Sequence, residues 1–167
     1  MEHLSDVTLV ASGGERFELH KVILASASAF FAKAFEDQPS STEISISEPS
    51  DLLTAALSHV FDNREAQAIT LDIVCTLVSF FSKYDVPKGI AACDSFLAAW
   101  AGAHHAVLST ATLPGWIAFA DRHKLASFLE KCAGYAAEHM AEFPEPEAWM
   151  VQLLPSTLAL LVHHHMM

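Results

Sequence analysis

The sequence predicts an α+β chain, a small three-stranded sheet capped by a cluster of helices and followed by C-terminal helical hairpins. Three observations carry this. Val7, Leu9 and Ala11 alternate with Thr8 and Val10, Phe17 and Leu19 alternate with Glu18, and Gly13-Gly14 lies between the two runs. After His20 the apolar spacing changes from two to that of a helix. From Pro49 onward, apolar residues recur at helical spacing almost to the end.

The elements follow in order. The two alternating runs form a hairpin, because glycine tolerates the positive φ that a tight turn needs. Val22, Ile23 and Ala25 start a first short helix, and Phe30, Phe31, Ala34 and Phe35 a second, with Ser28 as the N-cap between them. A polar connector, Glu36 to Thr42, leads to Glu43-Ile44-Ser45-Ile46-Ser47, which alternates as a third strand. Pro49 then opens a helix carrying Leu52, Leu53, Ala56, Leu57, Val60 and Phe61, since a missing N–H costs nothing in a first turn. A charged turn, Arg64 to Gln67, follows.

Thr70 is placed to cap the next helix. Leu71, Val74, Leu77, Val78, Phe80 and Phe81 make that helix apolar on most of its circumference, which predicts burial. It stops at Tyr84-Asp85-Val86, and Pro87 starts a partner with Ile90, Cys93, Phe96, Leu97 and Trp100 on one face. The pattern then returns. Phe80, Lys83-Tyr84, Val86, Ile90, Cys93 and Phe96 match Phe119, Arg122-His123, Leu125, Leu129, Cys132 and Tyr135 at a constant offset. Each copy reads as helix, short turn, helix. Two copies are too few for a solenoid, so the second hairpin is expected to extend a helical core. The tail has Pro144-Glu145-Pro146, a short helix with Trp149, Val151 and Leu154, and a last helix from Pro155. His163-His164-His165 reads as a frayed end.

Composition narrows the function. The chain has 167 residues, 52% of them hydrophobic, and a net charge of −11. Nucleic acid and anionic membrane surfaces both want a basic face, so neither is an expected partner. Residues 1–6 contain no apolar stretch of a signal peptide. Ser95 to Ala120 lacks charge, but Gly102, His104, His105 and Pro114 interrupt it, which favours two helices and a loop over a membrane span. Three unclustered cysteines, Cys75, Cys93 and Cys132, fit reduced thiols in a cytoplasmic or nuclear protein.

Catalytic and metal chemistry find little support. His104 and His105 are adjacent, so on a helix they point about 100° apart and do not share a metal. His163 to His165 bind a metal no better than any histidine tract. Cys93 and Cys132 fall at apolar positions, where cysteine usually behaves as a small hydrophobe. There is no Cys-x-x-Cys, no phosphate-binding glycine loop and no Gly-x-Ser-x-Gly elbow. No enzyme activity, metal or cofactor is expected.

The order of these elements resembles a BTB/POZ domain. An Asp6-Val7 opens the first strand, a His20-Lys21 opens the first helix, and Lys83-Tyr84-Asp85-Val86-Pro87 followed by Cys93 is similar to the family's helical turn. The resemblance covers Asp6 to about Trp100, and it implies a domain over 5–102. Residues 112–162 resemble the helical extension, a 3-box or short BACK region, that follows BTB domains in ubiquitin-ligase adaptors, so a second region is placed at 111–162 and a tail at 163–167. The resemblance implies a docking module that dimerises with itself or with other BTB proteins and binds the cullin-3 scaffold; a dimerisation scaffold without cullin binding is the alternative. On the same basis, Asp6, Lys21, Val22, Ile23 and Phe30 are expected at a dimer interface, with Asp6 and Lys21 as a charge pair; from the residues alone these two read equally as an exposed strand-start Asp and a first-turn Lys. Leu53, Ala55, Phe61, Tyr84, Asp85 and Val86 are expected to face cullin. One departure stands out. Where family adaptors often carry hydrophobic-x-Glu, this chain has Leu53-Thr54-Ala55, so an acidic contact is missing. No kelch repeat, MATH domain or zinc finger accompanies the resemblance.

Overall fold

The structure is a computed structural model that describes residues 5–60, 68–103, 108–143, 150 and 155–165. Phe61, the charged turn at 64–67, His104, His105 and, except for residue 150, the short helix expected around Trp149 to Leu154 lie outside them. The chain divides into two compact units, Met1–Ile90 and Ala91–Met167.

In the first unit, β1 (Val7–Val10) is the middle strand of a three-stranded sheet, between β2 (Arg16–Leu19) and β3 (Glu43–Ser45). β1 pairs antiparallel with β2, Leu9 opposite Phe17, and parallel with β3, Leu9 opposite Ile44. The alternation of β1 puts Val7, Leu9 and Ala11 in the core. In the hairpin only Gly14 takes a positive φ (92°), and the turn is closed by Gly14 N–H donating to Ala11 C=O (2.9 Å).

Two short helices follow, α1 (Lys21–Ala27) and α2 (Ala29–Asp37). Ser28 separates them as expected. Its Oγ accepts from the Phe31 N–H (3.1 Å), capping α2. The cap of α1 is not local: Asp6 Oδ1 accepts from the Lys21 N–H (2.7 Å), so a strand-leading carboxylate satisfies the positive end of the helix. Next come α3 (Ser50–Val60) and α4 (Leu71–Lys83), which pack together. Two local expectations are corrected. Pro49 lies one position before α3, where its C=O accepts from the Leu53 N–H (3.1 Å), rather than inside the first turn. Thr70 stands at the N-cap of α4 without a side-chain capping bond.

α5 (Pro87–Ala103) crosses the boundary between the units. Gly89, in its first turn, lies against Phe81 of α4 so closely that a Cβ on Gly89 would come within 2.5–2.6 Å of the ring carbons. Glycine is what lets the two helices approach here.

The second unit holds α6 (Leu113–Arg122), α7 (Ala126–Glu138), a 3-10 turn at Met140–Glu142 and α8 (Pro155–His165), with α7 packed on both α6 and α8. α8 runs through His165, so the three histidines end a helix and not a frayed tail. The start of α7 is capped from α5: Asp94 accepts from the Ser127 N–H (3.0 Å) and the Phe128 N–H (2.8 Å). The Thr157 hydroxyl of α8 donates to the Asp121 carboxylate of α6.

The internal repeat read in the sequence is also a repeat of backbone shape. Tyr84 and His123, the C-caps of α4 and α6, have φ/ψ of −98°/12° and −97°/5°. The residues that follow, Asp85 and Lys124, are the only described non-glycine residues at positive φ, 47° and 58°. In both turns the next N–H reaches back to close the helix end, Val86 to Phe81 C=O (2.8 Å) and Leu125 to Ala120 C=O (2.9 Å). The Phe80–Tyr84 and Phe119–His123 ring centroids are both 4.7 Å apart. Cys93 and Cys132, matched in the two copies, are both fully buried, and burial pushes the Cys132 thiol up to about 12. At neutral pH it packs as an apolar group.

Candidate functional site

The α1–α2 hairpin presents apolar side chains outward. On α1 the helical period sends Leu24 into the core and leaves Val22 on the opposite side, 74% exposed. On α2, Phe31 is buried and Phe30, one position earlier, is 44% exposed. Among the described residues Val22 and Phe30 are two of four large hydrophobic side chains with that much exposure. Ile23 is half-buried. Lys21, Val22, Ala25 and Phe35 line a shallow groove of about 310 Å³. An exposed apolar patch with a charged rim is what a protein-docking surface offers.

Asp6 and Lys21 meet, but not as the expected side-chain ion pair. Asp6 binds the Lys21 backbone N–H. The Lys21 ammonium turns the other way, donating to Pro39 C=O (2.9 Å) and lying 5.6 Å from the Phe35 ring centroid. Helix-capping takes the carboxylate because the first-turn N–H groups have no other partner.

The patch is held from behind by the α4–α5 turn. Tyr84 stacks nearly parallel on Phe31 (4°, centroids 5.6 Å) and edge-on to Phe30 (5.1 Å). Its backbone C=O accepts from the buried Ser28 hydroxyl, so one serine joins the start of α2 to the end of α4. The Tyr84 hydroxyl donates to Glu48 (2.6 Å), and Lys83 Nζ donates to Glu48 (2.6 Å) and Ser47 (2.7 Å). Burial by itself would raise the Glu48 carboxyl, but the hydrogen bonds from Lys83 and Tyr84 outweigh it and hold the group below its usual 4.5. Burial, and then the bond to Glu48, raises Tyr84; the bond to Glu48 raises Lys83.

A carboxyl depressed in the folded state stabilises the fold above the unfolded value, and that contribution disappears as pH falls through the folded one. Urea unfolding is therefore expected to show wild-type stability level from pH 6 to 8 and falling below pH 4.5. A Glu48→Gln variant should be about 1 kcal/mol less stable at pH 7, with the difference shrinking by pH 3. An undiminished difference at pH 3 would assign the loss to shape and not to charge.

The residues expected to face cullin need correction. Leu53 is 0% exposed, Ala55 4%, Tyr84 3% and Val86 2%. They belong to the core, Tyr84 within the aromatic cluster of Phe30, Phe31 and Phe80. Of the six named, Phe61 lies outside the described residues and Asp85 alone is exposed, held outward by its positive φ. The outward positions of α3 are Asp51 and Thr54.

A match to a known family decides the identity. The BTB/POZ domain model fits residues 1–100. The chain belongs to the BTB/POZ family. No curated protein matches it. As a BTB protein it is a protein–protein interaction module, and BTB domains commonly dimerise. The match ends at residue 100, so the helices beyond it stand on their own geometry. Among the described residues no group of three or more His, Cys, Asp or Glu side chains converges as a metal site, and no helix is long and apolar enough to cross a membrane.

Sequence reasoning missed Ser28 as a link between α2 and the α4–α5 turn, Glu48 as the acceptor for that turn, and Gly89 as a packing site. The Ser28 cap was legible; its second bond joins residues 56 apart in the chain and was not.

Proposed function

We propose that this BTB protein is a self-associating adaptor that docks a cullin-3-type ubiquitin-ligase scaffold. The observation that carries self-association is the exposure of Val22 on α1 and of Phe30 on α2, two large apolar side chains turned outward among the described residues. Two copies meeting on the α1 side of the hairpin would bury Val22, with Lys21 at the rim. Scaffold docking rests on the family resemblance and on the exposed Asp85 and Lys88 at the α4–α5 turn. The C-terminal helices, similar to a 3-box or short BACK region, are proposed to add to the same function.

A second reading has its own support. Leu53, Ala55, Tyr84 and Val86 are buried, and position 55 has no acidic side chain to offer. That favours a BTB scaffold that pairs with itself or with other BTB chains and leaves cullin alone.

Light scattering on a size-exclusion column, with and without a cullin-3 N-terminal fragment, separates them. The adaptor reading expects a dimer that shifts to a larger complex with the fragment. A dimer indifferent to the fragment selects the scaffold reading. Val22→Glu places a charge in the centre of the proposed interface and is expected to weaken the dimer at least a hundredfold, about 3 kcal/mol, with the circular dichroism spectrum unchanged. A Val22→Glu dimer as tight as wild type would remove α1–α2 as the interface.

A further inference from the structure

Among the described residues β3 is an outer strand with one edge unpaired. Its parallel register fixes which way its peptide groups point. Thr8 N–H donates to Thr42 C=O (2.9 Å) and Ile46 N–H donates to Val10 C=O (2.8 Å), so the even-numbered residues of this segment spend their peptide groups on β1. Alternation turns the peptide groups of Glu43 and Ser45 to the other side. Beside this edge runs a groove of about 480 Å³ whose far wall is α2. Phe30 and Ile44 line its apolar stretch, and Lys33 and Asp37 stand along the α2 wall, one turn apart. The Glu43 carboxylate is occupied by Arg16 (2.6 Å), which leaves Lys33 and Asp37 as the charges a ligand would meet.

We propose that this groove takes an extended peptide of a partner protein, added as a strand to β3, with the pattern apolar-x-acidic-x-basic. The backbone of the peptide would exchange hydrogen bonds with Glu43 and Ser45, the groups β1 does not use, the Glu43 C=O offering its second lone pair beside the bond it accepts from the Ser41 hydroxyl (2.9 Å). Its side chains are set by the opposite wall. Phe30, Lys33 and Asp37 are spaced along α2 by about 4.5 and 6 Å, close to the roughly 6.7 Å between side chains on one face of a strand. An apolar residue then lies at Phe30 and Ile44, an acidic one at Lys33 and a basic one at Asp37. α2 and β3 are joined by a short connector and line the same groove, and we take them to run in opposite senses. A peptide antiparallel to β3, the commoner pairing, runs with α2 and meets these residues in that order. The sequence around β3, Thr42-Glu43-Ile44-Ser45-Ile46, lacks this pattern, which favours a different partner over a second copy of the chain. The site is separate from the proposed dimer face except at Phe30, which borders both, so the test leaves Phe30 untouched.

The test is fluorescence polarisation with a labelled eight-residue peptide carrying Ile, Glu and Lys at alternate positions in a Ser/Thr background, and a second peptide with Glu and Lys exchanged. Wild type is expected to bind the first with micromolar affinity and the exchanged one about five- to tenfold more weakly. The double variant Lys33→Glu/Asp37→Lys, on the exposed side of α2, should reverse that preference, an outcome that loss of folding does not produce. Ser45→Pro, which deletes an edge N–H, should weaken both peptides alike. No saturable binding to wild type, equal affinity for the two peptides, or a preference unmoved by the double variant would overturn the proposal. So would self-association that the double variant abolishes while neither peptide binds, which would give the edge to a second copy.

Discussion

Gly89→Ala is expected to destabilise the BTB unit by about 1–3 kcal/mol, although alanine is the better helix former by about 1 kcal/mol. The added methyl would come within 2.5–2.6 Å of three carbons of the Phe81 ring. Phe81 is 0% exposed and its ring also packs against Phe80 (5.8 Å) and His59 (6.3 Å). A buried ring with neighbours on several sides has nowhere to move, so α5 must shift along α4 and carry the Tyr84–Pro87 turn with it. Thermal unfolding of Gly89→Ala beside Gly134→Ala checks the argument. Gly134 is mid-helix in α7 with no atom within 4 Å of a built Cβ, so its alanine should leave stability unchanged or raise it. A further variant, Phe81→Leu in the Gly89→Ala background, removes the ring and should cost less than the two single changes added together. Strict additivity would mean that the contact is not what limits position 89.

Ser28→Ala is expected to cost about 2–3 kcal/mol, more than a helix cap alone. The side chain is 3% exposed, and one oxygen makes two bonds: it accepts from the Phe31 N–H and donates to Tyr84 C=O. Alanine leaves an orphaned N–H at the start of α2 and an unpaired C=O at the end of α4, both away from water. Ser28→Thr keeps the hydroxyl and should recover most of the loss in urea unfolding. The functional consequence follows from where the bond sits. Tyr84 backs Phe30, so loosening Tyr84 should also weaken self-association. Ser28→Ala that unfolds early yet dimerises with wild-type affinity would show that the α1–α2 face does not depend on the turn behind it.

Much of this was legible in residue order. β1, β2 and β3 were marked by alternation, and α4 by its apolar residues, although it is less buried than expected: Leu71, Asp72, Thr76, Ser79 and Lys83 form an exposed face. The turn at Tyr84-Asp85-Val86 was marked by the change of helical phase and by Pro87. The second helical hairpin was visible because it repeats the first, and the matched backbone angles at Asp85 and Lys124 show that the repeat lies in the turn geometry as well as in side-chain type. Periodicity is local, so a linear pattern carries it.

What the pattern could not carry was direction and long-range partnership. The resemblance implies that Leu53 and Ala55 face cullin; both are buried in α3, and only packing decides which positions of a helix are covered. The family resemblance implies a charge pair of Asp6 and Lys21. The unsatisfied N–H at the start of α1 is the nearer claimant, and it takes the carboxylate. The free edge of β3 is invisible in sequence, since a strand's neighbours are set by which chain segments return beside it. The sequence alone therefore determined the element types, their order and the family, because these rest on contacts within a few residues. The tertiary structure decided which faces are left for a partner, because exposure depends on every segment that folds back.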